Sequence, residues 1–152
     1  MPLDLTDRRM LEILQRDGRI SNAALAEHLH LSPSPCLRRL RSLEQDGVIS
    51  GYRAELDRKR LGLGLTVFVE VKVDGHSDRS AAAISEALAK APEVISAHIV
   101  SGSADFLLEV VVPDLAGYEQ LMFNTLLRLP NVGDVRSNFA LRTVKAQAPL
   151  PL

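Results

Sequence analysis

The chain has 152 residues and a mass of 16.6 kDa, with 46% hydrophobic and 24% charged residues and a formal net charge of -1. These values allow one ordinary domain or two small ones. They exclude a uniformly basic nucleic-acid coat, and no apolar run approaches the roughly 18 residues of a membrane span. Cys36 is the single cysteine, which rules out an internal disulfide and a thiolate zinc cluster. The opening Met1–Asp7 has neither the basic region nor the apolar core of a signal peptide, so the expectation is a cytoplasmic protein. Charge divides unevenly along the chain. Residues 1–60 hold 11 Lys/Arg and 9 Asp/Glu, a net of +2; residues 61–152 hold 7 and 10, a net of −3.

Asp4 can cap a first helix, with Asp7 in the acid-favouring first turn, Met10, Leu11 and Leu14 as its apolar stripe, and Gly18 at its end. Ser21 caps a second short helix that buries Ala24, Leu25 and Leu29. Ser32 is the cap of a third, with Pro33 at the first helical position, where its missing N–H costs nothing, and Gly47 as the stop. Three short helices joined by tight turns make a helix-turn-helix. Val48–Leu56 then reads as a short β-hairpin or extended wing, and the charged, glycine-bearing stretch 57–64 as a linker.

The second half changes period. Leu65–Val73 alternates and is β-branched, a strand. Ser80–Ala91 is an alanine-rich helix closed by Pro92. Val94–Val100 and Phe106–Val112 are strands, Leu115–Leu129 a helix, and Val132–Leu141 the last strand. The order β-α-β-β-α-β is that of a ferredoxin-like sandwich. The chain is therefore expected to be α+β. A winged helix-turn-helix over 1–56 and a linker over 57–64 precede a ferredoxin-like domain over 65–145 and a tail over 146–152. Strands as apolar as 107–112 should not leave a sheet face in water, so subunits are expected to pair across it.

On the third helix Cys36, Leu37, Leu40 and Leu43 face the core, and the opposite arc holds Ser34, Pro35, Arg38, Arg39, Arg41, Ser42 and Gln45. Arginine suits DNA twice over, as a bidentate fork for guanine or as a phosphate clamp. Three arginines alone read equally well as a solvated basic face. The two preceding helices and the wing, with Arg53, move the reading to DNA.

The sequence resembles the Lrp/AsnC (leucine-responsive and asparagine-sensing, feast/famine) family of transcription regulators. The likeness is carried by Leu3–Leu11, Asp17–Ser21 ahead of Leu25-Ala26, Leu31–Leu40, Gly47–Ala54, Ser101–Leu108, and Leu129–Val132 followed by Ser137. The resemblance implies a C-terminal regulation-of-amino-acid-metabolism (ACT-like) sandwich, and a regulator that binds double-stranded DNA and a small effector. It implies DNA-binding residues at Ser32, Ser34, Pro35, Arg38, Arg39, Arg41 and Arg53. It also implies self-assembly to a dimer, tetramer or octamer, and a cytoplasmic, nucleoid-associated location. Effector binding is implied at Gly102, Ser103, Asp105, Phe106 and Ser137, with an amino acid as the ligand and no cofactor. Taken alone, the Gly102–Asp105 loop reads first as a plain hairpin turn with Asp105 bonding its own backbone, since glycine loops are weak signals. The resemblance turns that reading toward a ligand. One departure is Ser103-Ala104, less polar than the matching stretch in many family members.

Other residues carry less. Cys36 reads as core packing, His28 and His30 cannot share a helix face as metal ligands, and His76 and His98 have no companions. Neither an active site nor a metal site is expected. Two further readings stand beside the leading one: a siroheme-decarboxylase-like enzyme on the same architecture, and an oligomeric sensor without DNA binding.

Overall fold

The computed structural model describes residues 2–75 and 78–152, with Asp78 and Arg79 by backbone alone; His76 lies outside the described residues. The chain forms two compact units, one of residues up to Glu55 together with Val144–Leu152, the other of Leu56–Thr143.

In the first unit, α1 spans Leu5–Arg16, α2 Asn22–His28 and α3 Pro33–Gln45. A reciprocal capping box opens α1: Asp7 N–H donates to Asp4 Oδ1 at 2.8 Å, and Asp4 N–H donates to Asp7 Oδ2 at 3.1 Å. The Ser21 hydroxyl caps α2 by accepting from Ala24 N–H. Met10, Leu11, Leu25, Ala26, Leu29, Cys36 and Leu43 fill the space between the helices. Cys36 is fully buried, and that burial pushes its thiol pKa up, so it behaves as an apolar filler rather than a reactive thiol. Val48–Leu56 differs from the hairpin expectation. It holds no strand among the described residues; it begins with a bend at Val48–Ile49 and continues without regular structure, the Tyr52 hydroxyl donating to Glu44 Oε1 of α3 at 3.0 Å.

The tight turn from α2 to α3 places His30 at φ 54. A side chain in the left-handed region is strained, and glycine is not. His30→Gly is expected to stabilise this unit by about 0.5–1 kcal/mol, the relieved strain exceeding the added freedom of the unfolded chain. A midpoint in urea that falls or stays put would contradict it.

In the second unit, β1 (Leu65–Val73), β2 (Val94–Ile99), β3 (Phe106–Val112) and β4 (Val132–Phe139) form one antiparallel sheet in the order β2-β3-β1-β4. The two helices are α4 (Asp78–Lys90) and α5 (Leu115–Asn124). Alternate residues Val67, Val69, Val71 and Phe106, Leu108, Val110, Val112 pack with Ile84, Leu88, Tyr118 and Leu121 into one core. The single helix expected over Leu115–Leu129 is broken. Thr125 leaves the helical region at φ -126, and a 3-10 turn over Leu126–Arg128 follows. The tighter turn buries Leu126 at 0% and Leu129 at 5% exposure.

The outer sheet face is more polar than its strands suggested. Strand alternation sends Leu108, Val110 and Val112 to the helix side and leaves Leu107, Glu109 and Val111 outside, beside Phe68, Glu70 and Arg136. Glu70 pairs with Arg136 at 3.5 Å. Glu109 pairs at 3.0 Å with Arg58, which also donates to the Thr66 hydroxyl. The stretch 57–64 read as a linker is thus a hydrogen-bonded turn, with Leu61 N–H donating to Asp57 carbonyl and Leu63 N–H to Arg58 carbonyl.

Candidate DNA-contacting face and effector loop

The third helix owes its start to Ser32 and Pro33, and among the described residues the Ser32 side chain makes no cap hydrogen bond. Its hydroxyl therefore remains available to an outside acceptor. A second device steadies the same end: Asn22 Nδ2 of α2 donates to the Pro33 carbonyl at 3.0 Å. Sequence reasoning missed this link, because it joins two helices through one ordinary amide.

Ser34, Arg38, Arg41 and Gln45 stand at i, i+4, i+7 and i+11, and all four are exposed. They make one donor-bearing stripe along α3. Arg53 is exposed on the irregular segment that follows, and Pro35 is half-buried.

Arg39, expected on the open arc, is placed differently. Its Nη1 donates to Asp4 Oδ2 at 2.7 Å and to Asp7 Oδ1 at 2.8 Å, so the guanidinium clamps α3 to the capping box of α1. The Asp7 side chain is 4% exposed and that of Arg39 37%. Among the described residues Asp7 is the one buried charged side chain. The Asp4 carboxyl is held below its usual pKa, first by the Asp7 N–H and then by Arg39, while the two carboxylates push the guanidinium pKa up.

In the second unit, Gly102 has φ 125, a conformation that side chains rarely adopt, and a Cβ there would meet open space. Gly102 and Ser103 are exposed and Asp105 is half-buried. The Asp105 carbonyl closes the hairpin by accepting from Val100 N–H at 3.0 Å, while its side chain turns away from its own loop. Its Oδ2 accepts from Val73 N–H at 2.8 Å, and its backbone N–H donates to the Val71 carbonyl, so it ties off the end of β1.

Of the other two effector candidates, Phe106 follows Asp105 directly but is buried, and Ser137 lies on a different strand. Phe106 is 5% exposed and belongs to the core, where it borders a shallow depression with Leu88, Val94 and Ile99. Ser137 lies opposite Val69 on β4, two strands from β3, and its hydroxyl shares a 2.6 Å hydrogen bond with the Tyr118 hydroxyl. Burial pushes the Tyr118 pKa up, and the Ser137 contact works against that. Within one chain the structure brings together Gly102, Ser103 and Asp105, and does not bring Ser137 to them.

Among the described residues, no group of three or more His, Cys, Asp or Glu is gathered for a metal ion, and no helix is long and apolar enough to cross a membrane.

Residues 3–50 match the winged helix-turn-helix DNA-binding model, and residues 66–150 match the Lrp/AsnC ligand binding domain model. The leucine-responsive regulatory protein of Escherichia coli K12 is 43% identical over 143 residues, covering 94% of this chain and 87% of that protein. A Neisseria meningitidis transcriptional regulator solved in complex with L-Met superposes with a TM-score of 0.94 at 37% identity, covering 99% of this chain and 97% of that one. An AsnC family regulator from Agrobacterium tumefaciens gives 0.93 at 38% identity, with 98% and 97% covered.

Proposed function

This chain belongs to the Lrp/AsnC family of transcriptional regulators, and on that premise we propose how its two units divide the work. Residues 1–56 read DNA, 57–64 connect, and 65–145 bind an amino acid whose occupancy alters DNA affinity or assembly. The exposed stripe of α3 carries the DNA reading. Ser32, Ser34 and Pro35 lie against the DNA backbone and the groove edge at the start of the helix. Arg38 forks onto a guanine, and Arg41 and Arg53 neutralise phosphates. Arg39 serves this face by holding the helix from behind rather than by touching DNA. The protein works without catalysis, in the cytoplasm at the nucleoid. It assembles as a dimer or a multiple of one, so that paired recognition helices meet pseudo-palindromic half-sites.

The effector meets Gly102, Ser103 and Asp105. Backbone N–H groups freed by the positive φ of Gly102 answer the α-carboxylate. Asp105 Oδ1 answers the ammonium, while Oδ2 stays with Val73. Phe106, the next residue along the chain, packs into the core behind the loop, and Ser137 meets a ligand seated there from another subunit of the assembly. Methionine is the first amino acid to try, because the Neisseria relative was solved with L-Met.

Asp105→Asn separates charge from architecture. The amide oxygen still accepts from Val73 N–H, but the ammonium loses its anionic partner. Calorimetric titration is expected to show affinity for the responsive amino acid reduced at least tenfold, the scale of one charge-assisted hydrogen bond, with melting temperature unchanged. Undiminished affinity would place the ligand elsewhere. A wild-type protein that bound none of the twenty amino acids would overturn the effector reading while leaving the DNA reading intact.

A further inference from the structure

The end of the chain returns to the unit in which it began. Gln15, in the last turn of α1, turns its amide to Leu150, 135 residues away in sequence. Leu150 N–H donates to Gln15 Oε1 at 2.6 Å, and Gln15 Nε2 donates to the Leu150 carbonyl at 3.2 Å. These are the two bonds that a neighbouring strand would exchange with a residue, made here by one side chain. A primary amide can do this because it presents a donor and an acceptor side by side.

The flanking residues single out the position. Pro149 and Pro151 have no N–H, so in the run 149–151 only Leu150 offers a donor together with an acceptor. Both prolines also restrict the free tail, which lowers the entropy lost on docking. The surroundings are otherwise open: Leu150 is 71% exposed, and Gln15 is exposed. No apolar burial holds the tail at Leu150, and the amide pair must.

We infer that residues 144–152 form a latch that closes the chain onto helix α1 of its own DNA-binding unit. The chain passes from the first unit to the second after Glu55 and returns after Thr143. While Gln15 holds Leu150, two chain segments therefore join the units; once it lets go, one segment remains. Two neutral, solvent-exposed hydrogen bonds make a contact that opens and closes readily. The latch sets how freely the first unit moves, through a segment that continues directly from the end of the effector-bearing sheet.

Amide hydrogen exchange on the full-length protein tests the contact. Leu150 N–H is expected to exchange about tenfold more slowly than an unstructured tail residue, with Ala146 and Ala148 unprotected. Gln15→Ala should abolish that protection without moving the melting temperature. Gln15→Glu, which keeps the acceptor and loses the donor, should leave part of it. Nitrogen-15 relaxation tests the restraint: a chain stopped after Lys145, like Gln15→Ala, should show α1–α3 tumbling faster than in the intact protein. Unprotected Leu150 in the wild type, equal protection in Gln15→Ala, or unchanged tumbling after truncation would each overturn the latch.

Discussion

Arg39→Ala is expected to lower the unfolding free energy of the N-terminal unit by about 2 kcal/mol. The side chain of Asp7 is 4% exposed, and in the variant it keeps only the Asp4 N–H as a partner within this cluster. Removing one member of a fully buried ion pair costs about 3–5 kcal/mol; Arg39 retains 37% of its side-chain exposure, so the loss falls below that range. Arg39→Lys should recover part of the loss, since an ammonium can still sit between two carboxylates but without the fixed plane of the guanidinium. The pH dependence follows from Asp4. Its folded-state pKa lies below the ordinary 3.8, chiefly through the Asp7 N–H and then through Arg39. A depressed carboxyl stabilises the fold above its ordinary pKa, and that contribution is lost as pH falls through the folded value. The unit should therefore weaken below about pH 4, and Arg39→Ala should weaken less steeply there, having already lost one cause of the shift. Urea titrations at pH 7 and pH 3 measure both. An unchanged midpoint in Arg39→Ala at pH 7 would show that the clamp holds nothing.

That arginine marks where sequence reading stops. A helical wheel put Arg39 on one arc with Ser34, Arg38, Arg41 and Gln45, yet only those four are exposed, and the partners of Arg39, Asp4 and Asp7, lie 35 and 32 residues away at the start of α1. No local pattern carries such a contact. The strands were far more legible, because β1 and β3 alternate β-branched or apolar residues between their two faces, and their limits agree with those expected. The same alternation could have relocated Ser137, which shares its face with Val135 and Phe139 and so points toward the helices. The break at Thr125 was hidden by apolar spacing that runs on through Leu126 and Leu129 and serves a 3-10 turn as well as a helix. For the effector loop, the left-handed glycine was readable from residue type, whereas the bond from Val73 to Asp105 depends on β1 lying beside β3.

Arg38 should behave in the opposite way to its neighbour. It stands exposed on the stripe with Ser34, Arg41 and Gln45, and no ion pair holds it among the described residues. Arg38→Ala is therefore expected to leave the unfolding midpoint within about 0.5 kcal/mol of wild type, as for other exposed sites. On a bound operator it should cost about 1–3 kcal/mol per half-site and relax preference at one base position, the signature of a lost guanine fork. A dimer reading two half-sites feels the loss twice. Arg41→Ala and Arg53→Ala should instead weaken specific and random DNA alike and reduce the salt slope by about 1 for each phosphate contact given up. Fluorescence anisotropy with operator and scrambled duplexes, across a salt series, separates the two classes. Arg38→Ala that discriminates the duplexes as well as wild type would remove Arg38 from base reading. A fall in discrimination for folded Arg39→Ala equal to that for Arg38→Ala would show that holding the helix and reading the base are one function, and the division of labour between adjacent arginines would fail.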